Sequence, residues 1–294
     1  MQRHLKVVLV LGLIIPACDA FVCSQQRKKA MELSNQGVMA FKNNLYDRAE
    51  RELKLAIQTD PSYSLAHYNL GKVYQKQRKW DKAVESFEAA TEGEPNNANY
   101  QYDLGEAYLE MKRLDKARDA LKASTELNDK DYRVHWRLGV VYKLLEEPKL
   151  ADEAFRNAIN GNPRFDKAFR DLGYLYMEYD FPKQAAVVFS ECARINQFSA
   201  ECFNGRGLAQ KDLQEYASAA EAFKKAIELE PSLFEAVYNI GMTYADWYDQ
   251  SHAEDQKAMA REYLQKFVSG GGAHDGGVGY VKAANDKLYA LSGT

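Results

Sequence analysis

At 294 residues the chain is near the upper limit for one globular core, so either two domains or an array that grows by stacking is expected. It has only seven prolines and 18 glycines, 28% of its residues are charged, and Ala, Leu, Glu and Lys outweigh β-branched runs, which favours helices over sheets. A formal net charge of −3 with no basic block argues against a nucleic-acid partner.

The chain opens with a basic stretch containing Arg3 and Lys6, followed by the apolar run Val7–Ile15, far shorter than the roughly 20 residues a helix needs to cross a bilayer. Residues 1–17 therefore read as an export signal, and no comparable apolar run follows. The signal ends Ile15-Pro16-Ala17-Cys18, which resembles a bacterial lipobox with an atypical proline, and the resemblance implies lipidation of Cys18 as the first mature residue. Cleavage after Cys18-Asp19-Ala20, leaving a free periplasmic or secreted protein, is the competing reading. Acyl chains on Cys18 would hold the body at the periplasmic face of the inner or outer membrane through a tether at 18–29.

From residue 30 a 34-residue period runs through Gly37, Gly71, Gly105, Gly139, Gly173, Gly207 and Gly241. Leu70, Leu104, Leu138 and Leu172 precede four of these glycines, and Tyr74, Tyr108, Tyr142, Tyr176 and Tyr244 lie one helical turn beyond five of them, so each glycine marks a first helix. A second helix follows, with small residues at Ala49, Ala83, Ala117, Ala151, Ala185 and Ala219. One turn further on stand Leu53, Phe87, Leu121, Phe155, Phe189 and Phe223, and after them Ala56, Ala90, Ser124, Ala158, Cys192 and Ala226, which together form one apolar stripe. Pro61, Pro95, Pro163 and Pro231 start the turns between units. The units are 30–63, 64–97, 98–131, 132–165, 166–199, 200–233 and 234–267.

In the last unit the frame returns only at Ala260, Leu264 and Phe267, which places an insertion near 248–257. A glycine-rich loop at 268–279 and a capping helix at 280–294, with Tyr280, Val281, Ala284, Leu288 and Leu291 on one face, complete the chain. No strand precedes the glycine run and no Gly-Lys-Ser/Thr follows it, so it is a linker and not a phosphate loop.

Cys18, Cys23, Cys192 and Cys202 form no CxxC pair and have no histidine at ligand spacing, so no metal is expected. Export would permit a Cys192–Cys202 disulfide, but the place of Cys192 on the packing stripe favours two small buried thiols. Carboxylates are scattered among Lys and Arg, and no nucleophile motif occurs; no catalytic residue and no cofactor are expected.

The motifs Leu-Gly-x-x-Tyr and Ala-x-x-x-Phe-x-x-Ala over residues 30–267 resemble those of the tetratricopeptide-repeat family. The resemblance implies an all-α, right-handed superhelical solenoid of seven helix-turn-helix repeats plus the capping helix, whose first helices line a concave groove. The fifth residue of each unit should then face that groove: Ser34, Tyr68, Tyr102, Trp136, Arg170, Asn204 and Tyr238. Tyr68, Tyr102 and Trp136 form an aromatic ladder that could anchor a partner or pack between units, and both readings stand. Lys72, Arg133, Arg137, Lys167 and Arg170 are basic, interrupted by Asp103, Glu106 and Asp171. The expected partner-binding set is Tyr68, Lys72, Tyr102, Asp103, Arg133, Trp136, Arg137, Arg170 and Tyr238. Only Arg133 and Arg137 match the clamp with which one branch of the family grips chaperone C-termini, and Asp103 would repel such a carboxylate.

The family resemblance and the leader together imply a non-enzymatic scaffold in the bacterial cell envelope, similar to the pilotin-type repeat lipoproteins of pilus, secretin or gliding-motility machines. A peptide- or glycan-binding accessory of a cell-wall enzyme system is the alternative. The expected partners are proteins of an envelope complex and, through the lipid, a membrane surface.

Overall fold

A computed structural model describes residues 17–270 and 278–293; residues 1–16, most of the glycine-rich loop and the side chain of Cys18 lie outside what is described. Fifteen helices account for all regular structure among the described residues. The chain divides into two units, Met1–Leu127 and Asn128–Thr294. The first holds α1 (Ala17–Lys42), α2 (Tyr46–Thr59), α3 (Ser64–Lys76), α4 (Trp80–Gly93), α5 (Ala98–Glu110) and α6 (Leu114–Leu127). The second holds α7 (Tyr132–Leu144), α8 (Pro148–Gly161), α9 (Asp166–Glu178), α10 (Pro182–Ile195), α11 (Ala200–Asp212), α12 (Tyr216–Leu229), α13 (Phe234–Ser251), α14 (Glu254–Ser269) and α15 (Val278–Ser292).

Within each unit every helix packs on its chain neighbour, so first and second helices alternate as the period requires. The large residue of each second helix fills the space left by the glycine of its own first helix. A Cβ at Gly139 would stand 2.5 Å from Phe155, which is fully buried. Gly241 faces Leu264 in the same way, at 2.8 Å. These two pairs are 16 and 23 residues apart, a difference of seven, so the pairing is conserved across the insertion near 248–257. The added residues lengthen the helices: α13 has 18 residues where the other first helices of its unit have 13.

Each turn from first to second helix passes through one left-handed residue: Asn44, Arg78, Lys112, Glu146, Asp180, Gln214 and, after the longer α13, His252. In the first six turns the following amide reaches back six residues inclusive to a carbonyl of the first helix, as Lys79 N to Tyr74 O at 2.9 Å, which satisfies a helix-end carbonyl in the Schellman manner; after His252 the Ala253 amide donates to Ser251 Oγ instead.

Two further features bear on location. The segment 18–29 is the opening of α1, where Arg27 holds the turn after α2 by an ion pair to Asp60 at 2.7 Å and a cation–π contact with Tyr63. Cys192 of α10 and Cys202 of α11, both buried, are joined by a disulfide, which corrects the expectation of two free thiols. Cys192 does pack on the buried stripe of α10, and the turn between α10 and α11 brings the two Cα atoms to 5.6 Å, well within bonding reach.

Candidate functional site

The face presented by the first helices is built from a contact that recurs between neighbouring repeats. At four junctions within the units, the fifth residue of one repeat bonds the sixth residue of the next, 35 positions later. In the first unit Asn69 reaches Ser34 at 3.5 Å, and Tyr68 Oη donates to Asp103 Oδ2 at 2.6 Å. In the second, Trp136 Nε1 donates to Asp171 Oδ2 at 2.7 Å, and Asn239 donates to Asn204 at 3.2 Å. Ser34 and Asn204 are buried by this arrangement, so neither faces a groove.

In the first unit Tyr68 stacks on Tyr100 with centroids 4.5 Å apart and remains half-buried. Lys72 Nζ donates to Asp103 Oδ1 at 2.9 Å, so the buried Asp103 accepts from both Tyr68 and Lys72. Burial, reinforced by the Asp103 charge and hydrogen bond, holds the Tyr68 phenol well above the usual tyrosine range. Tyr102 is half-buried beside Asp103 on α5. The acid expected to interrupt a basic groove is therefore already engaged by its own chain.

In the second unit Trp136 is the centre of a cationic cluster. Its ring meets Phe165 edge-on at 5.4 Å, with Arg137 at 4.3 Å and Lys167 Nζ at 5.5 Å over the ring. Arg170 binds Asp171 at 2.9 Å and also Glu201. Arg133 is exposed and turns back to the N-cap of its own helix, pairing with Asp131 at 2.6 Å; its guanidinium, with burial opposing, keeps the Asp131 carboxyl below its usual range. Tyr238 lies apart from this cluster, covered by Tyr280 of α15 at 4.9 Å. The structure thus groups Tyr68, Lys72 and Asp103, and separately Trp136, Arg137 and Arg170, and assigns Tyr238 to the contact with the capping helix.

Sequence reasoning missed Tyr100, Phe165 and Tyr280 as ring partners and the role of Asp171 as an acceptor. The 35-residue pairing was the available signal, since it couples adjacent positions in the repeat frame. Among the described residues no helix is long and apolar enough to cross a membrane, and no group of His, Cys, Asp and Glu could hold a metal ion.

Comparison with known proteins accords with this geometry. A tetratricopeptide-repeat family model matches residues 68–132 and 102–161, and a second matches 200–233. A search of curated proteins finds no match. Among solved structures, a tetratricopeptide repeat protein from Parabacteroides merdae ATCC 43184 superposes with a TM-score of 0.63 at 17% identity, covering 90% of this chain and 99% of the other. PilW, described as a widely conserved type IV pilus biogenesis factor, gives 0.61 at 18% identity over 69% of this chain and 94% of its own. YrrB, described as a repeat protein with an unusual peptide-binding site, gives 0.54 at 20% identity over 63% and 96%. At these identities the likeness is one of fold, and with the matched repeats it settles the architecture: this chain is built of tetratricopeptide repeats.

Proposed function

We propose that the protein is a non-enzymatic scaffold of the bacterial cell envelope that binds a protein partner on its first-helix faces and supports assembly of a multiprotein machine of the pilus, secretin or gliding type. The observation that carries this reading is the cluster around Trp136, where Arg137 and Lys167 stand over a half-buried indole and Arg170 binds the Asp171 that accepts the indole N–H. An aromatic ring set among cations suits an acidic or polar peptide, with the ring supplying contact area and the cations orientation. The peptide-binding site of YrrB and the pilus role of PilW, on the same fold, support the class of function.

Residues 1–17 direct export, and Cys18 carries the lipid anchor. The Cys192–Cys202 disulfide supports an oxidising compartment, as export to the envelope requires. The alternative of a glycan-binding accessory fits less well, because sugar stacking needs an open ring and the Trp136 ring is already faced by two cations.

The test is a crosslinking pull-down from membranes. Tyr68 and Trp136 also tie repeats together, so the informative variant is Lys167→Glu, which reverses the exposed charge over the Trp136 ring and leaves both hydrogen bonds in place. Loss of one set of envelope partners with unchanged melting supports the proposal; an unchanged set of partners rejects it.

A further inference from the structure

The turn that joins α10 to α11 departs from its counterparts at one residue. The frame places Ser62, Asn96, Lys130, Arg164 and Ser232 at this position, all of them polar, and Phe198 here. Phe198 is 85% exposed, the most exposed large apolar side chain among the described residues. A single apolar residue on a surface is ordinary. This one is held in place from several sides. Its amide donates to Asn196 Oδ1 at 3.2 Å, and the Asn196 side chain donates to Asp166 Oδ2 of α9 at 2.6 Å. Ser199 caps α11 by accepting from the Cys202 amide at 3.3 Å. The buried Cys192–Cys202 disulfide closes the loop that contains the turn. A turn fixed in this way has little freedom left to lose on binding, and a large ring presented on it is suited to anchor an interface.

Phe198 forms one lip of a cleft of about 310 Å³, whose walls include Lys167, Arg170, Asn196, Glu201 and Glu230. Two cations there face three acids, counting Asp166. Arg170 pairs with Glu201, and Asp166 accepts from Asn196 and from the Lys167 amide, so charge gives the cleft little preference for either sign. The ring at its lip is what sets it apart. Two of its walls are shared with the Trp136 cluster: Lys167 stands over the indole, and Arg170 binds the Asp171 that accepts the indole N–H. The first-helix face of the second unit therefore continues without a break from Trp136 to Phe198.

We propose that Phe198 is a further partner-binding residue of that face: the protein segment that meets Trp136 runs on through this cleft and packs one large aliphatic or aromatic side chain against the Phe198 ring. This rests on the reading that a protein partner binds the first-helix face. Burying an exposed ring at the end of a polar cleft adds an apolar anchor where the charges select weakly, and so sets which residue the partner must carry there.

The test places the photo-crosslinker p-benzoylphenylalanine, in producing cells, at Phe198, where it keeps an aromatic ring, at Arg133 on the first-helix face, and at Ser232, the same turn position one repeat later. Phe198→Ser and Phe198→Lys are then combined with the Arg133 probe; they restore the residue types of Ser232 and Lys130, which the fold already accepts at this position. The expected result is one protein captured from both Phe198 and Arg133 and none from Ser232, with the Arg133 crosslink at least tenfold weaker in both variants and their melting unchanged. An undiminished Arg133 crosslink in the two variants, or different proteins captured from Phe198 and Arg133, would overturn this proposal and leave the first-helix reading standing. Crosslinks from Phe198 alone, to protein or to lipid, or from neither position, would overturn both.

Discussion

The tie between Tyr68 and Asp103 gives the sharpest energetic test of how the first-helix face is built. Asp103 is only 5% exposed and accepts from Tyr68 at 2.6 Å and from Lys72 at 2.9 Å. A hydrogen bond to a charged group contributes about 1.5–3 kcal/mol. The lower part of that range applies, because the Lys72 side chain is 30% exposed and can reorganise toward water. Tyr68→Phe removes the donor and Asp103→Asn removes the charge; with the double variant they close a cycle whose expected coupling is about 1.5 kcal/mol. Stacked repeats need not unfold in one step, so denaturant unfolding by circular dichroism should be paired with amide exchange in α3 and α5. A coupling below about 0.5 kcal/mol, the scatter between independent sites, would refute a hydrogen bond that joins the two repeats. The matching cycle at Trp136 and Asp171, joined at 2.7 Å, should give a similar value.

Other outcomes follow from single features. Arg206 occupies the frame position of Leu70, Leu104, Leu138 and Leu172, and its buried Nε has no partner; Arg206→Leu should raise stability by about 1–2 kcal/mol in denaturant titration. Lys112 sits at φ 57°, so Lys112→Gly should add about 0.5–1 kcal/mol and raise the melting temperature. Reducing the Cys192–Cys202 bond should cost about 3 kcal/mol by loop closure, and Cys192→Ala/Cys202→Ala, which matches Ala158 and Ala168 in the frame, should unfold like the reduced protein. Burial and the bond to Asp152 push the Tyr176 phenol up to about 12, so the unfolded chain loses that proton first; stability should fall as pH rises from about 10 to about 12, with a shallower slope in Tyr176→Phe.

The architecture was legible because each repeat must bury one helix pair against the next, and that requirement writes glycine, tyrosine and phenylalanine at fixed spacing. Even the insertion could be placed, since Leu264 must still meet Gly241. The face was less legible. The sequence put Tyr68, Asp103, Trp136 and Asp171 in register but did not show that the acids accept from the aromatics, because that depends on side-chain reach between repeats. The disulfide was missed for a related reason: packing frame and cross-link demand the same small buried residue at Cys192, and only the turn into α11 distinguishes them. The partner is not written in the period at all, since the exposed positions vary freely while the frame stays constant.

Site-specific photo-crosslinking in producing cells tests the central claim most directly, with the probe placed in turn at Tyr102 and Arg133 on first helices and at Leu55 and Val187 on exposed second-helix positions. The account predicts crosslinks to one envelope protein from Tyr102 or Arg133 and none from Leu55 or Val187. Crosslinks confined to Leu55 and Val187 would contradict it and place the partner on the opposite helices.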